Sequence, residues 1–128
     1  FKLFLLDGGL LGCLAKVPAA QMLQGNNAFR EWKGAFTEQF VLQQLQFNHQ
    51  TICYWSNNSS LCEIDFLVQT EDRIIPIEVK AEENVKSKSL RIFVEKYYSN
   101  LKGLRVSLLP YVDQDWMENI PLYAASTI

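Results

Sequence analysis

Glu63-Ile64-Asp65-Phe66-Leu67-Val68-Gln69, and after a short polar break Ile74-Ile75-Pro76-Ile77-Glu78-Val79-Lys80, is the stretch on which the fold turns. The first half alternates, so the spacing predicts a strand from Leu61 to Gln69. Glu63 and Asp65 are expected on one face, with Ile64, Phe66 and Val68 on the other. The second half is nearly continuous in apolar residues, as expected of a strand covered on both faces. Here Glu78 and Lys80 share a face opposite Ile75, Ile77 and Val79. Pro76 implies a missing ladder bond or a bulge near the start of this strand.

Charges in such runs need a reason, because burying one is costly unless it is paired or holds a metal. If the two strands pair, Asp65 and Glu78 converge at one end of the sheet, with carboxyl groups within about 6 Å. They are candidate ligands for Mg²⁺ or Mn²⁺, with the Val79 carbonyl as a further one. Lys80 is the candidate for stabilising charge on the nucleophile or the transition state. Metal-dependent phosphodiester cleavage is the chemistry this pattern implies. The competing reading is a structural ion-pair network.

Upstream, Thr51-Ile52-Cys53-Tyr54-Trp55 reads as a strand, joined to Leu61–Gln69 by the turn cluster Ser56-Asn57-Asn58-Ser59-Ser60. Before it, Ala28 to about Asn48 has helical spacing, with Asn27 as N-cap. Phe29, Trp32, Phe36 and Phe40 form one stripe, and Ala35, Val41, Leu42 and Leu45 a second. Glu38 falls on the second stripe and is a candidate fourth site residue, as ligand or proton acceptor through water. Gln39, Gln43, Gln44 and Gln46 are expected to be polar cover. Lys2–Leu6 reads as a short buried strand, Leu10–Val17 as a short helix closed by Pro18, and Gln21–Asn27 as loop.

Downstream, Lys86 to about Asn100 is expected to be a helix with Leu90, Phe93, Val94 and Tyr97 inward, and Leu104–Leu109 a strand stopped by Pro110. Asp113–Asn119 reads as a short helix or turn, and Pro121–Ala125 as a final edge strand. The order implies one α/β domain over 1–128, a mixed sheet of about four to five strands flanked by helices.

Composition bounds the rest. The 128 residues are 48% hydrophobic and 20% charged, which is globular, with net charge −2. Residues 80–105 hold seven cations against three carboxylates, so this segment is +4 and the remainder −6. Lys86, Lys88 and Arg91 are the candidate nucleic-acid contacts within it; a solvated helix face is the other reading. Cys13, Cys53 and Cys62 suggest reduced thiols in a cytoplasmic protein. His49 is expected to serve a helix C-terminus. Nucleotide-binding glycine loops and the GxSxG elbow are absent from the sequence. The opening apolar run has no basic leader and is broken by Asp7, Gly8, Gly9 and Gly12, so neither a signal peptide nor a membrane span is expected. Phe1 in place of Met suggests a piece of a longer polypeptide.

A helix Glu, a strand ending in Ile64-Asp65, then Glu78-Val79-Lys80 and a basic helix resembles the PD-(D/E)XK nuclease superfamily, closest to its Holliday-junction-resolvase-like branch. Ile64-Asp65 replaces the usual Pro-Asp. More closely, Phe4–Leu11 with Asp7-Gly8-Gly9-Leu10, Gly34–Glu38, Tyr54-Trp55, Glu63–Phe66 and Ile77–Lys80 look like the C-terminal domain of unknown function that follows an AAA-type P-loop ATPase domain in many bacterial and archaeal proteins. The resemblance implies a restriction-endonuclease-like fold, an N-terminal ATPase partner on the same polypeptide, and DNA as a possible partner. It leaves two functions open: a Mg²⁺-dependent nuclease using Asp65, Glu78, Lys80 and Glu38, or a non-catalytic nucleic-acid- or protein-binding module that regulates the ATPase.

Overall fold

The alternation of one strand and the apolar run of the next place both inside a six-stranded mixed sheet, ordered β1-β2-β3-β4-β6-β5, in a computed structural model. The structure describes residues 2–20, 30–49, 51–57, 62–82, 86–97 and 102–128. Its elements are α1 (Gly8–Leu14), α2 (Arg30–Asn48), β1 (Ile52–Ser56), β2 (Glu63–Gln69), β3 (Ile74–Lys80), α3 (Lys88–Tyr97), β4 (Gly103–Ser107), β5 (Val112–Asp113) and β6 (Met117–Pro121), closed by a 3₁₀ helix, Leu122–Thr127. The expected N-cap Asn27, the stripe residue Phe29, the loop 21–27, the turn residues 58–60, Leu61 and the helix end near Asn100 lie outside the described residues.

β1, β2 and β3 run antiparallel; β3, β4 and β6 are parallel; β5 turns back along β6. Two apolar clusters cover the two faces. Val41, Leu42 and Leu45 of α2 pack with Phe66, Val68, Ile77, Val79 and Val106. Leu90, Phe93 and Val94 of α3 pack with Ile64 and Met117 on the other face. Close approach there requires Gly103: an added Cβ would lie 2.7 Å from Leu90 Cδ1.

Cluster membership corrects the expected parity of β2. Ile64 belongs to the α3 face, whereas Phe66 and Val68 belong to the α2 face. The cause is a β-bulge. Cys53 pairs with Leu67 and Trp55 with Ile64, so Tyr54 alone stands against both Asp65 and Phe66. Pro76, where a missing ladder bond or a bulge was expected, sits in register opposite Leu67, so no bulge forms there.

The ends of the chain also differ from expectation. Lys2–Leu6 forms no strand; Leu3 and Leu6 are exposed. Instead the Gln39 side chain acts as its partner: Leu5 N–H donates to Gln39 Oε1, and Gln39 Nε2 donates to the Leu5 carbonyl, both at 2.9 Å. Gln39 is therefore buried and not polar cover. α1 starts at Gly8, earlier than expected, because Asp7 caps it by accepting from Leu10 N–H. β6 takes in 117–119, where a helix or turn was expected, and ends at Pro121, where a strand was expected to begin; 122–127 are 3₁₀ and not strand. Asn119 obscured that strand, since a buried polar residue breaks its apolar alternation. The sheet thus gains strands beyond the four or five expected. Val41, Leu42 and Leu45 of the second stripe of α2 form the core face, while Ala35 of that stripe is exposed and Trp32 and Phe40 of the first remain partly exposed. Tyr97 is also half-exposed, though its ring contacts Trp55 and Phe93.

Candidate functional site

The bulge aims Asp65 out of the α2 side of the sheet at the point where the β2–β3 ladder opens. Its Oδ2 accepts the backbone N–H of Val79 at 2.8 Å, a bond that strand β2 would otherwise make. Its Oδ1 lies 2.7 Å from the ammonium of Lys2. Glu38 reaches the same nitrogen from α2 at 3.2 Å, and Glu63 reaches it at 3.1 Å. Three carboxylates therefore surround one ammonium, two of them drawn from the alternating Glu63-Ile64-Asp65 triplet.

Glu78 and Lys80 form a second group. Ile77 and Val79 point into the α2 cluster, so Glu78 points to the α3 face. Its Oε1 pairs with Lys80 Nζ at 2.9 Å. In register beside it stand Arg105 and then Asn119, on neighbouring strands. Arg105 Nε and Ser107 Oγ both donate to Asn119 Oδ1, at 2.8 and 2.7 Å. The other carboxylate oxygen of Glu78 is buried with no hydrogen-bond partner. The expected convergence of Asp65 and Glu78 in one cleft is thus corrected to two neighbouring groups on opposite faces, joined through Val79. The bulge is the reason: it keeps Asp65 on the α2 face, opposite its strand neighbour Glu78. Lys80 goes with Glu78, and Glu38 goes with Asp65.

Electrostatics distinguish the groups further. Burial disfavours the charged form of Lys2, but its hydrogen bond to Asp65 and the charges of Asp65 and Glu38 outweigh that and raise its pKa. Glu38 is also raised, first by burial and then by Asp65, against the attraction of Lys2. Burial lowers the pKa of Arg105, opposed by the charge of Glu78.

The Glu38 shift has a sign that can be measured. A carboxyl raised on folding adds stability that is full below its unfolded pKa and lost as pH rises through the folded value. Glu38→Gln is neutral throughout, so it should match wild type near pH 4 and exceed it at pH 7 in a metal-free urea titration. A lower midpoint for the variant at pH 7 would contradict the sign.

A cavity of about 300 Å³ opens beside Lys2 and Asp65, lined by Phe4, Leu42, Ile52, Phe66 and His49 among others. Lys86, Lys88 and Arg91 lie at the start of α3, which covers the Glu78 face and not the Glu38–Asp65 face. Arg91 is engaged with Glu95 and lies over the Trp116 ring. His49 donates from Nε2 to the Ile128 carbonyl at 2.9 Å. Cys13 and Cys53 are exposed free thiols, and Cys62 is buried. Sequence reasoning missed Lys2, Glu63 as a cluster member, Gln39 and Arg105. For Lys2 a signal existed: a lysine opening an apolar run needs a partner.

The donor chemistry suits a hard divalent cation, since the candidate ligands are carboxylate oxygens in negative surplus. One Glu78 oxygen is also buried without a partner. As folded, the Glu38–Glu63–Asp65 set is closed around Lys2. Among the described residues no three His, Cys, Asp or Glu side chains stand in a metal-holding arrangement. Nor is any described helix long and apolar enough to cross a membrane. Comparison with curated proteins and with solved structures gives no match. A family model does match, that of a domain of unknown function, DUF4143, over residues 33–124. That span includes β1 to β6, Glu38 and, apart from Lys2, the residues of both polar groups on the sheet, so the chain belongs to the DUF4143 family.

Proposed function

We propose that this chain is a metal-dependent nuclease-like module on a restriction-endonuclease-like sheet of the PD-(D/E)XK kind, attached to an AAA-type ATPase. The observation that supports it best is the Val79 hinge point. Val79 N–H binds Asp65, and Val79 is flanked by Glu78 and Lys80, so the helix Glu, the strand Asp and the Glu-x-Lys strand meet at one end of the sheet. Asp65, with Glu38 and Glu63, would hold Mg²⁺ or Mn²⁺. In an extended strand a residue's N–H and C=O leave on the same edge, so the Val79 carbonyl faces the Asp65 side too. When bound, such an ion would supply positive charge to a phosphate and activate water for attack. Glu78 pairs with Lys80 on the α3 face of the same sheet end, so the ammonium would reach a developing negative charge at the carboxylates only around that end of the sheet. Lys86 and Lys88 are free of ion pairs to described residues and are the proposed DNA contacts. The proposed setting is the cytoplasm.

A second reading has its own observation. Lys2 already neutralises part of the carboxylate cluster, as in a scaffold that holds shape without chemistry. The module would then bind nucleic acid or protein and regulate the ATPase. Mn²⁺ titration separates the two. The nuclease reading expects heat on binding, and a melting point about 4–8 °C higher at tenfold excess over the dissociation constant. Asp65→Asn should remove both signals. A wild-type domain that shows neither signal favours the regulatory module.

A further inference from the structure

We infer that the start of α3 is a phosphate site, where the helix N-terminus, Ser87 and the lysines on either side of it hold one phosphate group of a nucleic-acid backbone. The inference deepens the nucleic-acid reading above and rests on it for the source of the phosphate; it needs no metal ion. Ser87 stands just before α3, and its carbonyl accepts the Arg91 N–H at 3.0 Å, the first bond of the helix. A serine in this place usually turns its hydroxyl oxygen to the N–H two or three residues on. Ser87 does not. It is 8% exposed, and its hydroxyl has no hydrogen-bond partner. By covalent geometry that hydroxyl lies at the helix terminus, beside the N–H groups of Lys88, Ser89 and Leu90, which have no acceptor within the helix. One O–H and three N–H groups thus converge as donors. An oxyanion is the ligand such a set takes, and the helix dipole favours its charge.

Topology brings this terminus to the end of the sheet that carries the polar groups. β3 and β4 are parallel and α3 connects them, so α3 begins at the carboxyl ends of both strands. Lys80 and Ser107 face each other in register at those ends. In open α/β sheets ligands bind outside the carboxyl ends of the strands. Charge agrees with the position. Lys86 and Lys88 are exposed on either side of Ser87, and the first turn of α3 holds no acidic residue. The opposing charges among the described residues of β3 and the turn after it are Glu78, which is paired with Lys80, and the exposed Glu82.

The test is an NMR titration of the whole, metal-free chain with inorganic phosphate at constant ionic strength, read at the backbone amides. The amides of Lys88, Ser89 and Leu90 should shift together and saturate. Ser87→Asp puts a carboxylate at the terminus, where aspartate is itself a favoured cap, so the variant should fold and these amides should no longer respond. Replacing both exposed lysines, Lys86→Ala with Lys88→Ala, should weaken phosphate binding several-fold. A short oligothymidine should displace phosphate from wild type, and Lys88→Ala should lower the salt slope of its binding by about one. Amides at 88–90 that stay still, or shifts spread evenly over all the lysines, overturn the site. Saturating shifts that the oligonucleotide does not displace keep the site and overturn nucleic acid as its source. Because no metal is present, failure of the nuclease reading leaves each of these results unchanged. Should Ser87→Asp fail to fold, the double lysine variant decides: an affinity equal to wild type overturns the proposal.

Discussion

Asp65→Ala lowers the melting temperature by roughly 10–20 °C, the largest loss expected of any substitution in the carboxylate cluster. Two functions end together. The Val79 amide, on a residue that is only 7% exposed, loses its acceptor, and an unsatisfied buried donor costs about 1–3 kcal/mol. Lys2 loses its shortest ion pair in a part-buried setting, which adds a cost of about the same size. Together they give about 4 kcal/mol. Asp65→Asn keeps an oxygen for Val79 and should cost about 1–2 kcal/mol. Thermal unfolding of the three proteins should therefore rank alanine lowest, asparagine next and wild type highest. An alanine variant that melts with wild type would mean that water replaces the carboxylate at Val79.

Asn119→Ala is the second large effect, at about 3–4 kcal/mol. Asn119 is fully buried and uses both ends of its amide. The oxygen accepts from Arg105 and Ser107, and the nitrogen donates to the Leu109 and Pro110 carbonyls at 3.1 and 2.8 Å. Alanine leaves a cavity and strands these groups. Asn119→Asp is the sharper control. It keeps the acceptor and nearly the shape, but turns an oxygen toward two carbonyl oxygens. Chemical denaturation should show both variants destabilised by more than about 2 kcal/mol. An aspartate variant as stable as wild type would mean that its charge is repaid by Arg105.

Much of this was legible because some signals are local. β3 runs from Ile74 to Lys80 as expected, since its apolar run is bounded by charge on both sides. α2 and α3 followed from period, and Val41, Leu42, Leu45, Leu90, Phe93 and Val94 are the buried residues their spacing picked out. Glu38 was singled out by its place on the core stripe, and it does meet Asp65 through Lys2. What failed depends on pairing. The bulge at Asp65 is set by how β1 lies on β2, and nothing within Glu63–Gln69 announces it. Strict alternation therefore sent Phe66 and Val68 to the wrong face. Asn119 hid β6 for a related reason: its polar side chain is acceptable in a strand only because four partners from β4 and the following turn surround it. Gln39 looked like surface because an amide matched to a distant backbone leaves no mark on helical spacing.

That Gln39 contact divides the domain into parts that open on different scales. A carboxamide carries one donor and one acceptor at about the spacing of a peptide group, so it can satisfy a single rung of extended chain. It cannot propagate a second rung, because the next residue of α2 points elsewhere. Residues 2–6 are consequently a ligand of the helix and not a member of the sheet. Their amides exchange with solvent by local release, at a free energy far below that of global unfolding, while the amides of β2 to β4 wait for the sheet itself to come apart.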